Sequence, residues 1–147
     1  MTFTCVVPLV PVPMARPRVT GGKFPRAYLP KKCRTFIDSC ATYMGAHWRQ
    51  PPMEGPVAMY VVFVHPRPLR LQRRADPPGR LWKDTRPDVD NLVKSIADSA
   101  QHPAAGILMD DSQIVLIEAR DMYGEKGEKG KIEVEIMPIL EEDVEID

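Results

Sequence analysis

Arg86-Pro87-Asp88-Val89-Asp90-Asn91-Leu92-Val93-Lys94 leads into an apolar helical repeat and is completed further on by Asp110-Asp111-Ser112-Gln113. Carboxylates repel one another, so a chain that gathers several in a short span normally neutralises them with a cation or by protonation. Pro87 biases Arg86 toward extended backbone, and Asp88 is expected to continue it. In an extended stretch Asp88 and Asp90 point the same way, about 6.6 Å apart at Cα. Their carboxylates would converge on one ion, and Asp111, just before a strand, would add a third oxygen from across the sheet. Mg²⁺ takes few carboxylates and keeps several waters. Such a site suits phosphodiester hydrolysis, because the ion lowers the pKa of a bound water and polarises the phosphoryl group.

Each piece also has a plain structural reading. Asp90 is a natural N-cap for the helix expected over residues 91–101, whose apolar face is Leu92, Ile96 and Ala100. Lys94 falls near that helix's start, where the dipole disfavours a cation by about 0.3–1 kcal/mol. An ion pair with Asp90 four residues back, worth about 0.3–0.5 kcal/mol, would account for it. So would a role against the scissile phosphate. Asp110-Asp111 after Ile107-Leu108-Met109 reads either as a turn or as the closing part of a metal site.

Outward from this centre, the strand-like run Val57 to Val64 is apolar on both faces and is expected at the middle of a sheet. Residues 2–7 alternate as a half-buried first strand. A basic loop follows, and Gly21-Gly22 marks a tight turn between two short extended arms. Pro30 opens a helix whose buried stripe is Cys33, Phe36, Ile37, Cys40, Ala41, Met44 and Trp48, and Pro51-Pro52 follows its end. Residues 65–86 read as a proline-rich basic flap, mobile without ligand. Within it Trp82 could pack on a base or on the protein body, and packing is the preferred reading. His102 to Gly106 reads as a loose connection. Residues 114–120 form another strand, and Lys131 to Met137 alternates as an edge or hairpin strand. One domain over residues 1–140 is expected, with 141–147 an acidic disordered tail.

At 147 residues the chain can bury one real core. It contains no apolar run of membrane-spanning length and no basic signal-peptide start. The three cysteines lack metal-binding spacing, and the scattered His47, His65 and His102 argue against zinc. Buried thiols in a reducing cytoplasm are expected. Net charge is zero, with 20 basic and 20 acidic residues, yet the charges are segregated. Residues 16–34 carry only cations, and 67–86 carry mostly cations. The run Glu141 to Asp147 offsets them in the total. Two basic blocks beside an acidic centre point to a phosphate-backbone partner.

Pro87 to Lys94, Asp98, and Asp110 to Val115 resemble the motif of the RusA family of Holliday-junction resolvases. Arg16-Pro17-Arg18 and Ala27 to Lys32 are similar to stretches of phage-type members, and the likeness runs over residues 3–138. It implies an α/β (α+β) fold, a small mixed sheet packed with two main helices, in a homodimer. It implies Mg²⁺, with Mn²⁺ a possible substitute, and no organic cofactor. Four-way DNA junctions would be cut by paired symmetric nicks, in a bacterial cytoplasm and from a gene of possible phage or prophage origin. By position, Asp88, Asp90 and Asp111 would be the metal-binding catalytic acids and Lys94 the catalytic lysine. Asn91 would be a supporting residue and Asp110 a neighbour. Arg16, Arg18, Lys23, Lys31, Lys32, Arg73, Arg74 and Arg86 would hold DNA phosphates. Two features depart from the family. Ser99 to Gly106 replaces a short turn, and the 65–86 segment is long. Rival readings are a nuclease for flaps, forks or other branched DNA, a non-catalytic DNA-binding module, and a structural metal site.

Overall fold

The computed structural model describes residues 1–140; the acidic tail expected from Glu141 lies outside the described residues. Five strands form one mixed sheet in the order β1 (Phe3–Val7), β7 (Lys131–Pro138), β4 (Val57–His65), β6 (Ile114–Tyr123) and β5 (Leu81–Trp82). Only β4 and β6 run parallel. A parallel pair needs a crossover, and residues 66–113 supply it, carrying α2 (Val89–Gln101). Helix α1 (Lys31–His47) packs beside α2 and against β1. The fold is therefore α+β, with a mixed sheet and two main helices.

Local pattern accounts for the layers. In β1, Phe3, Cys5 and Val7 are buried and Thr4 and Val6 exposed, the alternation of a strand with one open face. The α1 stripe is buried as its spacing predicts, and Trp48 follows it into the core against Phe3, rings edge to face at 6.1 Å. Leu92, Ile96 and Ala100 of α2 are fully buried. Ser95 and Ser99 lie beside them and return their hydroxyls to the Leu92 and Ser95 carbonyls. All three cysteines are free and buried.

Two expectations change. Strand β7 is neither an edge nor half of a hairpin: it lies between β1 and β4, pairing antiparallel with both. Its alternation, Ile132, Val134 and Ile136 inward, is equally that of an interior strand whose other face is open. The connection from His102 to Gly106 is not loose. Backbone bonds from Ala105 and Gly106 to the His102 carbonyl close it, and Ala105 is buried. A Cβ at Gly45 would overlap the Ala104 carbonyl, so glycine there lets α1 approach this turn.

Among the described residues, Arg18–Val19 (β2) and Ala27–Tyr28 (β3) form a separate hairpin around Gly21-Gly22, with Gly22 at φ 103°. Residues 65–86 are built around two arginines. Arg67 is buried and donates to the carbonyls of Leu71, Pro77, Gly79 and Gly124. Arg80 bonds Glu128 and Glu133 at 3.1 and 2.9 Å. Neither cation is available to a phosphate without giving up these bonds.

Arg80 and Lys131 hold the Glu128 carboxyl down at about 2, and Arg80 lowers Glu133 as well. A carboxylate whose folded pKa is depressed stabilises the fold above its unfolded pKa and loses that contribution as pH falls through the folded value. The melting temperature is therefore expected to decline as pH drops from about 4.5 toward about 2. In Arg80→Met that part of the decline should flatten. Thermal unfolding across this range checks it; identical slopes in the two proteins would refute the assignment.

Candidate active site

Helix α2 begins at Val89, and Asp88, not Asp90, occupies the N-cap position. The Asp88 backbone is extended, and its side chain makes no capping bond. Asp90 stands in the first turn, where a negative charge favours the helix dipole. Asp88 and Asp90 are both N-cap residue types, and the Leu92 N–H donates to the Asp88 carbonyl at 3.3 Å, which sets the first turn two residues earlier than expected. The earlier start has a geometric consequence. Once the chain coils at Val89, each residue turns by about 100°, so Asp88 and Asp90 no longer share one face of an extended strand.

The side chains sort into adjoining grooves. Asp90, Lys94 and Asp111 line one of about 500 Å³ between α2 and β6. Asp88 lines two neighbours, one with Arg86 and Asn91 and one with Trp82, Lys83 and Asp121. Val89 and Ala119 border both the Asp90 groove and the second Asp88 pocket. Among the described residues no three acids, histidines or cysteines stand close enough to hold one ion. The structure thus brings Asp90, Lys94 and Asp111 together and leaves Asp88 next door.

The carboxylates of Asp88, Asp90 and Asp111 have no hydrogen bond or ion pair. Lys94 has no ion pair either, so the Asp90–Lys94 pair expected as a structural explanation is not made. Asp98, one turn on, feels the Lys94 charge. Burial pushes the Asp98 carboxyl up and the Asp111 charge adds to that, while Lys94 opposes it. Exposed, unpartnered carboxylate oxygens are the donors that Mg²⁺ takes, so Asp90 and Asp111, with Asp88 beside them, fit such an ion.

Asp110 has a different occupation. It caps the 3₁₀ turn Asp111–Gln113, accepting from the Ser112 N–H and hydroxyl, and Ser112 holds its carboxyl below the usual range. Gln113 completes the box: its carbonyl accepts from the N–H groups of Met109 and Asp110 at 2.8 and 3.1 Å. Its amide donates to Met53 and Gly55. Gln101, at the end of α2, accepts the Asp111 N–H at 2.8 Å. That bond ties the helix carrying Asp90 and Lys94 to the turn carrying Asp111. Ser-x-x-Gln-type capping boxes are legible in a sequence, and Asp110 to Gln113 has that spacing; nothing local announces Gln101.

A second cluster was not foreseen. His65 and Asp121, 56 residues apart, meet at 2.7 Å, both buried. Burial lowers the imidazole and raises the carboxyl, so both shifts favour the uncharged partners. Beside them Lys83 donates to the carbonyls of Thr85 and Arg86, each at 2.8 Å, on the approach to Asp88.

Arg16, Arg18, Lys23, Lys31, Lys32, Arg73, Arg74 and Arg86 are all exposed. Only Arg73 meets a carboxylate, Asp76 at 3.6 Å. The Met14 N–H donates to the Asn91 carbonyl at 3.0 Å, so the basic hairpin springs from the start of α2. The Asn91 side chain is exposed and has no partner, facing the pocket it shares with Asp88.

Free acids and a free lysine in one groove, on a chain with many exposed cations, are the equipment of a protein that handles phosphodiesters. The comparisons name the group. A family model described as Endodeoxyribonuclease RusA matches residues 8–137, and the chain belongs to that family, one of endodeoxyribonucleases. It is 32% identical over 123 residues to the uncharacterized protein YqaN of Bacillus subtilis (strain 168), covering 79% of this chain and 84% of YqaN. It is 41% identical over 58 residues to the crossover junction endodeoxyribonuclease rusA of Lactococcus phage r1t, a match covering 40% of each chain. No helix among the described residues is long and apolar enough to cross a membrane.

Proposed function

We propose that this protein is a Mg²⁺-dependent endonuclease that resolves four-way DNA junctions by paired symmetric nicks, acting as a homodimer on phage or prophage DNA in the bacterial cytoplasm. The observation that carries the reading is the groove in which Asp90, Lys94 and Asp111 stand without protein partners. Family membership gives the nuclease class; the junction substrate is that of the phage relative, a crossover junction endodeoxyribonuclease. Two equivalent sites related by a two-fold axis would suit two symmetric cuts.

Asp90 and Asp111 would hold the ion, which would supply an activated water and stabilise charge on the phosphoryl oxygens, and Asp88, in the adjoining pocket, would reach it through one of the waters that Mg²⁺ keeps. Lys94 would place its ammonium against the scissile phosphate as negative charge develops there. Gln101 and Gln113 would keep Asp111 at its distance from α2. The exposed cations of the hairpin, with Arg73, Arg74 and Arg86, would bind backbone phosphates on either side and make affinity fall with salt.

The test is a synthetic immobile four-way junction and a linear duplex of matched sequence, each with Mg²⁺, with Mn²⁺ or with EDTA. Metal-dependent symmetric nicks in the junction, with the duplex spared, are expected on denaturing gels. Cutting of flaps or forks in preference would move the substrate to another branched DNA. Salt-sensitive binding without cutting would move the protein to a DNA-binding module.

A further inference from the structure

The two tryptophans have opposite surroundings. Trp48 is 6% exposed in the core, whereas Trp82 is 69% exposed. Packing on the protein body therefore does not explain Trp82. A large aromatic left in water is informative where a small exposed apolar residue is not.

The exposure is not that of a loose chain end. Trp82 lies in β5, paired with Met122 of β6, and the next residue, Lys83, donates its N–H to the Asp121 carbonyl at 3.0 Å. Arg80, two residues before, is held by Glu128 and Glu133. Lys83 then fixes the Thr85 and Arg86 carbonyls on the way to Asp88. The indole is thus presented from an anchored backbone, and it lines the same pocket of about 330 Å³ as Asp88.

The chemistry of the surroundings selects the partner. In the segment that carries Trp82, exposed Arg74 and Arg86 have no carboxylate partner, which suits a polyanion. The pocket itself sets Lys83 and Arg120 beside Asp84, Asp88 and Asp121, and a flat, exposed π-face on a segment with free arginines fits a nucleobase on its phosphate backbone. Within a linear duplex each base is already stacked on both faces. A free face exists only where the duplex is interrupted, at a branch, an end or a single strand.

We propose that Trp82 is a base-stacking platform that takes an unstacked base at the pocket it shares with Asp88, next to the groove of Asp90 and Lys94, and so favours branched over linear DNA. The proposal deepens the nuclease reading above and rests on it for the role of Asp88. Trp82 is here a binding residue for substrate structure, not part of the cutting chemistry.

The experiment compares wild type, Trp82→Ala and Trp82→Phe, full chain, with EDTA present so that nothing is cut. Labelled four-way junction, linear duplex and a single-stranded oligonucleotide are the ligands. Trp82→Ala is expected to weaken junction and single-strand binding by about 5- to 150-fold while duplex affinity stays within about twofold. Trp82→Phe should recover most of the loss. Tryptophan emission should be quenched by junction and single strand in wild type and not in Trp82→Ala, where only buried Trp48 remains. Equal losses on all three ligands, or none, would overturn the proposal. So would a lower oligomeric mass in Trp82→Ala, which would make the indole a subunit contact. If wild type bound junction and duplex alike, the junction reading would fail by itself. The single-strand arm would still decide whether a base meets Trp82.

Discussion

Asp90→Asn is expected to lower cleavage of a four-way junction about a thousandfold or more, while junction binding is unchanged or tighter. The carboxylate is exposed, lies in the first turn of α2 and has no partner. Removing it therefore breaks no contact of the fold. The cost to stability should be confined to a lost helix-dipole interaction, about 0.3–1 kcal/mol. On the proposed mechanism the cost to chemistry is larger, because a ligand of the ion would be gone, and metal stabilisation of a phosphoryl transition state is worth several kcal/mol at about 1.4 kcal/mol per tenfold. Binding moves the other way, since a negative charge facing phosphate has been neutralised. Single-turnover cutting and anisotropy with the same junction separate the two effects. Normal cutting by Asp90→Asn would remove Asp90 from the site, and an equal fall in binding and cutting would make it a binding residue.

Lys94→Ala is expected to reduce turnover by about a hundred- to a thousandfold, the usual loss for one donor to developing charge, with junction affinity changed far less. The ammonium lies in the groove of Asp90 and Asp111 and holds neither by an ion pair. Its charge acts on Asp98, a turn further along α2. Lys94→Arg should restore little, because a planar guanidinium does not reproduce a compact ammonium. A loss confined to affinity would place Lys94 with the phosphate-binding cations. A melting temperature lowered by many degrees would show that the ammonium supports the fold through contacts absent from this structure.

The residues that follow a local period were legible before any coordinates. The alternation Phe3, Cys5, Val7 and the stripe from Cys33 to Trp48 record which face meets the core. So does the two-sided apolar run of β4 at the sheet's centre. Gly21-Gly22 marked its hairpin because only glycine adopts the positive φ cheaply. The candidate site was legible as residue types and as the four-residue step from Asp90 to Lys94.

What was not legible depends on neighbours distant in the chain. Alternation reports that one face of β7 is buried, but not which strands flank it, and so its interior position was missed. Either Asp88 or Asp90 can stand at an N-cap and the local sequence does not choose between them, so the start of α2 at Val89 was missed, and that shift set Asp88 apart from Asp90. Arg67 and Arg80 belong to the basic block 67–86, and only the fold shows that carbonyl and carboxylate partners engage them. Gln101 reaches Asp111, and His65 reaches Asp121, only because the crossover brings the ends of α2, β4 and β6 together. Local sequence determined which residues face inward and which side-chain types are there to line a groove. Only the packing of the crossover against the sheet decided which of those groups share a groove, because a side chain's partners are set by three-dimensional neighbours and not by position along the chain.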